Sequence, residues 1–225
     1  MLKIFITATD TDAGKTYAAQ ALVHALVTSE KKVAVFKPIS AGCERVNGNL
    51  VNDDALLLLK QSNCQQTIAD VNPIAFELAI APHIAAAQQQ QVISSADIAQ
   101  NYENIVALAP DVIVCEGAGG WRLPLGHGTF LSEFVQASAQ NVVLVVNMKL
   151  GCLNHAVLTY QSIVADGLRC IGWVANYPES MPFLAENLHE LTALLPIPKI
   201  AEFAFESDIS EAAKKVDITV LTSLL

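Results

Sequence analysis

At 225 residues the chain is long enough to bury a substantial core, and its length reads as one large domain spanning residues 1–225. A composition that is 52% apolar and only 16% charged suits a parallel sheet covered on both faces. The formal charge of −9 argues against nucleic-acid binding, which calls for basic surface, but leaves room for a nucleotide held in a local pocket.

The apolar run Ile4-Phe5-Ile6 centres a first strand over Lys3–Thr7, and no basic, signal-like stretch precedes it. Residues 8–16, Ala-Thr-Asp-Thr-Asp-Ala-Gly-Lys-Thr, then lead into a helix over Lys15–Thr28. Strand, turn, Gly-Lys-Thr and helix is the context of a phosphate-binding loop. Backbone N–H groups at the helix start cradle phosphate oxygens, Lys15 reaches the outer phosphates, and the Thr16 hydroxyl ligates Mg²⁺. The usual spacing puts the leading glycine at position 9, where this chain has Thr9; the nearest small residue is Ala8. An alanine is tolerated there if its φ is negative.

A second strand, Lys32–Phe36, runs into Lys37-Pro38-Ile39-Ser40-Ala41-Gly42. Lys37 at a strand exit places a fixed cation at the rim, suited to a developing anion. Asn52-Asp53-Asp54 opens a helix over Asp53–Gln61. Acids are ordinary at a helix start, yet one of them can complete a Mg²⁺ site with Thr16 and Glu116. Gln88–Gln91 reads as a helix end, and Ser94-Ser95 as the N-cap of a helix over Ala96–Leu108. The strand Val112–Cys115 stops at Glu116-Gly117-Ala118-Gly119-Gly120-Trp121, whose glycines allow close backbone approach to a ligand. A helix over Thr129–Ser138 and a strand over Val142–Asn147 lead to Lys149-Leu150-Gly151-Cys152-Leu153-Asn154-His155 and a helix over Asn154–Ala165. Strand Cys170–Ala175 ends at Asn176; helix Pro182–Leu194, strand Lys199–Phe203 and helix Ile209–Lys214 complete the chain.

This alternation predicts an α/β fold: a doubly wound, mostly parallel sheet with a P-loop NTPase-type core and helices on both faces. Ligands then bind at the carboxyl ends of the strands, where nearly every unusual cluster falls. The five cysteines are odd in number and form no C-x-x-C pair, so reduced thiols in a cytosol fit better than disulfides or structural zinc. No uninterrupted apolar run reaches membrane-spanning length. His83 and His155 lack metal-type spacing, Cys152 reads as a packing residue, and Ser40 has no evident triad partners.

Taken together, these motifs resemble the dethiobiotin synthetase family. The resemblance rests on Thr9-Asp10-Thr11 with Gly14-Lys15-Thr16, Lys37-Pro38-Ile39 with Gly42, and Asn52 with Asp54-Ala55-Leu56. It extends through Asn72-Pro73, Ala81-Pro82-His83, Glu116–Trp121, Lys149–His155 and Gly172-Trp173-Val174-Ala175-Asn176. It implies a cytoplasmic homodimeric ligase of biotin biosynthesis that binds neither nucleic acid nor membrane. Its substrates are 7,8-diaminononanoate, CO₂ or bicarbonate, and MgATP.

By position, the resemblance makes Lys15 and Lys37 catalytic and assigns Mg²⁺ to Thr16, Asp54 and Glu116. It gives the nucleotide Asp12, Ala13, Gly14, Lys15, Thr16, Tyr17, Asp54, Glu116, Gly117, Ala118, Gly119, Asn176, Pro196, Ile197, Pro198 and Glu202. It gives the substrate Thr11, Ser40, Ala41 and the Gly151, Cys152, Leu153, Asn154 turn, the last as a clamp on the distal carboxylate across a dimer interface. The family's serine position is here Ala41, so either Ser40 compensates through a shifted loop or one hydrogen bond, worth about 0.5–1.5 kcal/mol, is missing. A partitioning-type ATPase places a lysine where this chain has Asp10, and a cobyrinate-type ligase carries a glutaminase domain for which 225 residues leave no room.

Overall fold

The computed structural model describes residues 1–204 and 208–225. Six parallel strands form the main sheet: β1 (Leu2–Ala8), β2 (Val33–Phe36), β7 (Val112–Glu116), β10 (Asn141–Asn147), β11 (Cys170–Tyr177) and β12 (Lys199–Ala204). Their order is β12-β11-β10-β1-β7-β2, so the chain passes from β1 to the edge strand β2, returns to β7 between them, then crosses β1 and winds outward through β10, β11 and β12. Each of the six expected strands is present, displaced by at most two residues at an end.

Period-two alternation sends successive side chains to opposite faces, and both faces are covered. From β1, Phe5 enters one core while Ile4 and Ile6 enter the other; from β7, Ile113 and Cys115 separate likewise from Val112 and Val114. The first core packs against α4 (Pro82–Gln88), α5 (Ser95–Val106), α6 (Leu131–Ala137), α7 (Cys152–Ala165) and α8 (Leu184–Leu194). Tyr102 meets Phe36 and Phe134 there at centroid distances of 5.5 and 5.3 Å. The second core takes α1 (Lys15–Thr28), α2 (Asp53–Gln61), α3 (Ile68–Val71), α9 (Ile209–Ala213) and α10 (Thr219–Thr222).

Smaller pieces decorate this frame. Strands β3 (Ile39–Ser40) and β6 (Ile74–Ala75) pair in parallel outside the main sheet. A hairpin joins β4 (Glu44–Val46) to β5 (Asn49–Val51), and another pairs β8 (Pro124–Gly126) with β9 (Thr129–Phe130). The last of these trims the helix expected from Thr129, because Thr129 and Phe130 join a strand before α6 begins. Helix α7 starts two residues earlier than expected, since Gly151 adopts φ 93° ahead of it. Helix α8 starts two residues later, after Phe183 at φ 55°. Gln88 ends α4, and the Ser94 side chain accepts from the Asp97 N–H to cap α5.

Candidate active site

The phosphate-loop candidate follows β1 directly. Ala8 is the last residue of that strand and lies outside the residues with positive φ, so it needs none of glycine's freedom. Gly14 does need it: φ is 86°, and a Cβ there would sit 2.2 Å from Asn176 Nδ2. That amide donates to Ala13 O at 3.0 Å, so Asn176 at the end of β11 braces the loop from behind. Lys15 Nζ donates to Asp10 O at 3.1 Å, and the Asp10 carboxylate accepts from Lys149 Nζ at 2.9 Å. The loop is thereby fastened to the turn that precedes α7.

Glu116 enters through register. Strand β7 pairs with β1 so that Glu116 lies opposite Ile6, alongside the loop entrance. Its Oε1 accepts from Thr16 Oγ1 at 2.8 Å and from Lys37 Nζ at 2.7 Å. Lys37 Nζ also lies 3.2 Å from Asp54 Oδ2. Asp54 is held there because the Asn52 side chain caps α2, accepting from the Ala55 N–H at 3.2 Å. Gly117 permits close packing, since a Cβ there would meet Phe5 Cζ at 2.8 Å.

These groups share a cleft of about 1030 Å³. Lys37 is 3% exposed, Glu116 1% and Lys15 8%, so the charges interact with little water between them. Burial pulls the Lys37 ammonium's pKa down, but Glu116 and then Asp54 outweigh it, and the net shift is upward. For Lys15 burial wins: Glu116 opposes it, neighbouring Lys37 adds to it, and the net shift is downward. Glu116 Oε2 is buried with no hydrogen-bond partner in the structure. A carboxylate oxygen left bare beside a threonine hydroxyl and near a second carboxylate is a donor set that suits Mg²⁺.

Of the expected site residues, Thr11, Asp12, Gly14, Lys15, Thr16, Tyr17, Lys37, Ser40, Ala41, Asp54, Glu116, Ala118 and Gly119 line this cleft. Ala13 is fully buried in the loop, and Gly117 lies against Phe5, so neither lines the cleft. Asn176, Gly151–Asn154, Pro196–Pro198 and Glu202 do not line it. Both Glu202 oxygens are engaged, one by Tyr177 Oη at 2.8 Å and the other by Lys199. Burial first, then Glu202, pushes the Tyr177 hydroxyl up to about 12. Cys152 is a packing residue, 1% exposed, and burial raises its thiol pKa. Ser40 is 2% exposed and gives its proton to Asn72 Oδ1 at 2.6 Å, so that proton is not offered to the cleft.

The cleft also has an apolar wall, Leu57 with Ala79-Ile80-Ala81-Pro82, that sequence reasoning did not assign. A signal was present: Leu56-Leu57-Leu58-Leu59 is too wide an apolar run for one side of a nine-residue helix, and only Leu58 of the four is fully buried.

Comparison with known proteins decides the family. A profile described as an AAA domain matches residues 2–213. The ATP-dependent dethiobiotin synthetase BioD of Idiomarina loihiensis is 47% identical over 213 residues, covering 92% of this chain and 96% of that one. Its counterpart from Alteromonas mediterranea is 45% identical over 220 residues, covering 93% and 94%. The chain belongs to the dethiobiotin synthetase family. Solved structures add the fold at large sequence distance. The MinC:MinD cell division complex of Aquifex aeolicus matches with TM-score 0.61 at 15% identity, covering 100% of this chain and 96% of that one. A ParA family ATPase from Chlorobium tepidum gives TM-score 0.55 at 14% identity, covering 99% and 93%. The synthetase thus shares the parallel sheet of these P-loop NTPases, as its alternating strands and helices predict.

Proposed function

We propose that the chain makes dethiobiotin from 7,8-diaminononanoate, CO₂ and ATP, with release of ADP and phosphate. One substrate amine adds to CO₂ and loses a proton, giving a carbamate. A carbamate oxygen attacks the γ-phosphorus, the bond to the ADP oxygen breaks, and a carbamic–phosphoric anhydride forms. The second amine attacks the carbamoyl carbon, phosphate leaves, and the ureido ring closes. The observation that carries this reading is the cluster of buried Lys37 and Glu116 with part-exposed Thr16 and Asp54, beside Lys15 in one cleft of a family member.

Such chemistry needs positioning and charge neutralisation, and no nucleophilic side chain. Lys15 holds the outer phosphates. Lys37 faces the oxygens that gain charge as the carbamate reacts, with its ammonium aimed by Glu116 and Asp54. Thr16, Asp54 and Glu116 would hold Mg²⁺, which when bound neutralises phosphate charge. Asn176, Pro196–Pro198 and Glu202 form the base and ribose side. There, Glu202 exchanges one of its present partners for the ribose.

Purified protein given ATP, Mg²⁺, bicarbonate and the diamine should yield dethiobiotin by mass spectrometry. No diamine-dependent ADP release would overturn the assignment.

The Gly151–Asn154 turn clamps the substrate's distal carboxylate, with the Leu153 and Asn154 N–H groups at the start of α7 as donors, since that of Cys152 goes to Lys149 O at 2.9 Å. That turn does not line the chain's own cleft, and Leu150 beside it is 97% exposed, which supports a clamp acting on a partner's cleft in a homodimer. Light scattering should therefore give the mass of two chains; a fully active monomer would rule the shared clamp out. A cytoplasmic location is consistent with five free buried cysteines and with the absence, among the described residues, of a helix long and apolar enough to cross a membrane. Recovery with the membrane fraction after cell lysis would contradict it.

A further inference from the structure

Lys37 stands where the chain changes sheets. Strand β2 ends at Phe36, Pro38 has no N–H to give, and β3 pairs with β6 rather than with the main sheet. The lysine's own peptide groups therefore lie at a corner between two ladders, and other contacts must fix them. Its N–H donates to Val71 O at 2.7 Å. Its carbonyl accepts from Asn72 Nδ2 at 2.7 Å. The same Asn72 amide accepts the Ser40 hydroxyl through Oδ1 at 2.6 Å. Asn72 is 7% exposed, so these bonds face little competition from water. Pro73 disfavours helical backbone at the residue before it; Asn72, at φ −130° and ψ 77°, ends α3 beside the lysine.

We propose that Asn72 is a positioning residue for Lys37, resting on the reading of Lys37 given above. Glu116 and Asp54 set the ammonium end of the side chain, while Asn72 and Val71 set its backbone end. A lysine has four side-chain torsions, and anchoring both ends removes the swings that would carry Nζ away from the reacting oxygens. The Ser40 bond extends the same clip to the Ser40–Ala41 wall of the cleft.

The test compares Asn72→Ala, Asn72→Asp and Ser40→Ala, with Ile105→Val in the α5 core as a purely destabilising control. Asn72→Ala should lower kcat for dethiobiotin formation by about 10- to 100-fold with the KM for ATP unchanged, because the phosphate loop keeps its own braces. Ser40→Ala leaves the bond to Lys37 O intact and should cost far less. Asn72→Asp keeps an oxygen for the Ser40 hydroxyl and can donate to Lys37 O only while its carboxyl is protonated. Its kcat should therefore fall as pH rises through that titration, a limb absent from the parent enzyme. A general loss of stability would instead lower melting temperature in all variants without that limb. Parental kcat in Asn72→Ala, or a loss matched by Ile105→Val, overturns the proposal. Full turnover in Lys37→Ala would overturn the reading beneath it, so the two failures are distinguishable.

Discussion

Lys37→Ala should bind ATP and make almost no dethiobiotin. The nucleotide keeps Lys15, Thr16 and the loop braced by Asn176, none of which depends on residue 37 for its backbone. What disappears is an ammonium that is 3% exposed and fixed 2.7 Å from Glu116 and 3.2 Å from Asp54. Removing one preorganised donor to a developing anion typically costs about 10²–10³ in kcat. A loss of that size, with calorimetric ATP affinity nearly unchanged, is the expected result; unchanged turnover would take Lys37 out of the mechanism. The pH dependence separates the two lysines. Lys37 is shifted upward, so it stays charged up to and beyond the ordinary lysine value of 10.5. Lys15 is shifted downward by burial and, where it binds phosphate, must be charged to do so. An alkaline decline in kcat/KM, which reports the free enzyme, should therefore belong to Lys15 and persist in a Lys37→Arg variant.

The main sheet is legible because its strands carry apolar runs between helical stretches, and a central one such as Val112–Cys115 is buried on both faces. The rim position of Lys37 and Glu116 follows from the same runs, since each residue stands where an apolar run stops. Other features depend on contacts that no local pattern encodes. That Glu116 lies beside the phosphate loop depends on β7 pairing with β1 rather than with another strand, and partners as far apart in the chain as Ile6 and Glu116 are not something spacing reveals. Gly14 is glycine because Asn176, near in space and far in sequence, occupies the place of its Cβ. Ser40 looks free in the sequence because its partner, Asn72, belongs to the end of a four-residue helix. Elements of two to four residues, such as β3, β6 and α3, are too short for any periodicity to show.

Glu116→Gln should unsettle the fold as well as the chemistry. The carboxylate is 1% exposed, and its Oε1 is the near partner of both Thr16 and Lys37. A glutamine can still accept through one oxygen, but it leaves the buried Lys37 ammonium with Asp54 alone, whose side chain is 44% exposed and screened by water. Removing one partner of a buried pair costs about 3–5 kcal/mol, and the lower end is expected because Asp54 remains. The sign of the pH dependence follows. In the parent, the raised Lys37 pKa contributes stability that is fully present below 10.5 and is lost as pH climbs through the folded value. In the variant the largest opposing charge is gone, burial weighs more heavily against the ammonium, and that pH-dependent stability is reduced. The melting deficit should thus be widest near neutrality and narrow toward alkaline pH. Adding Lys37→Met to Glu116→Gln should recover stability by replacing an unpaired buried charge with an apolar chain, while activity stays lost. A double variant that melts below the single one would show that the pair's charges do not govern this part of the fold.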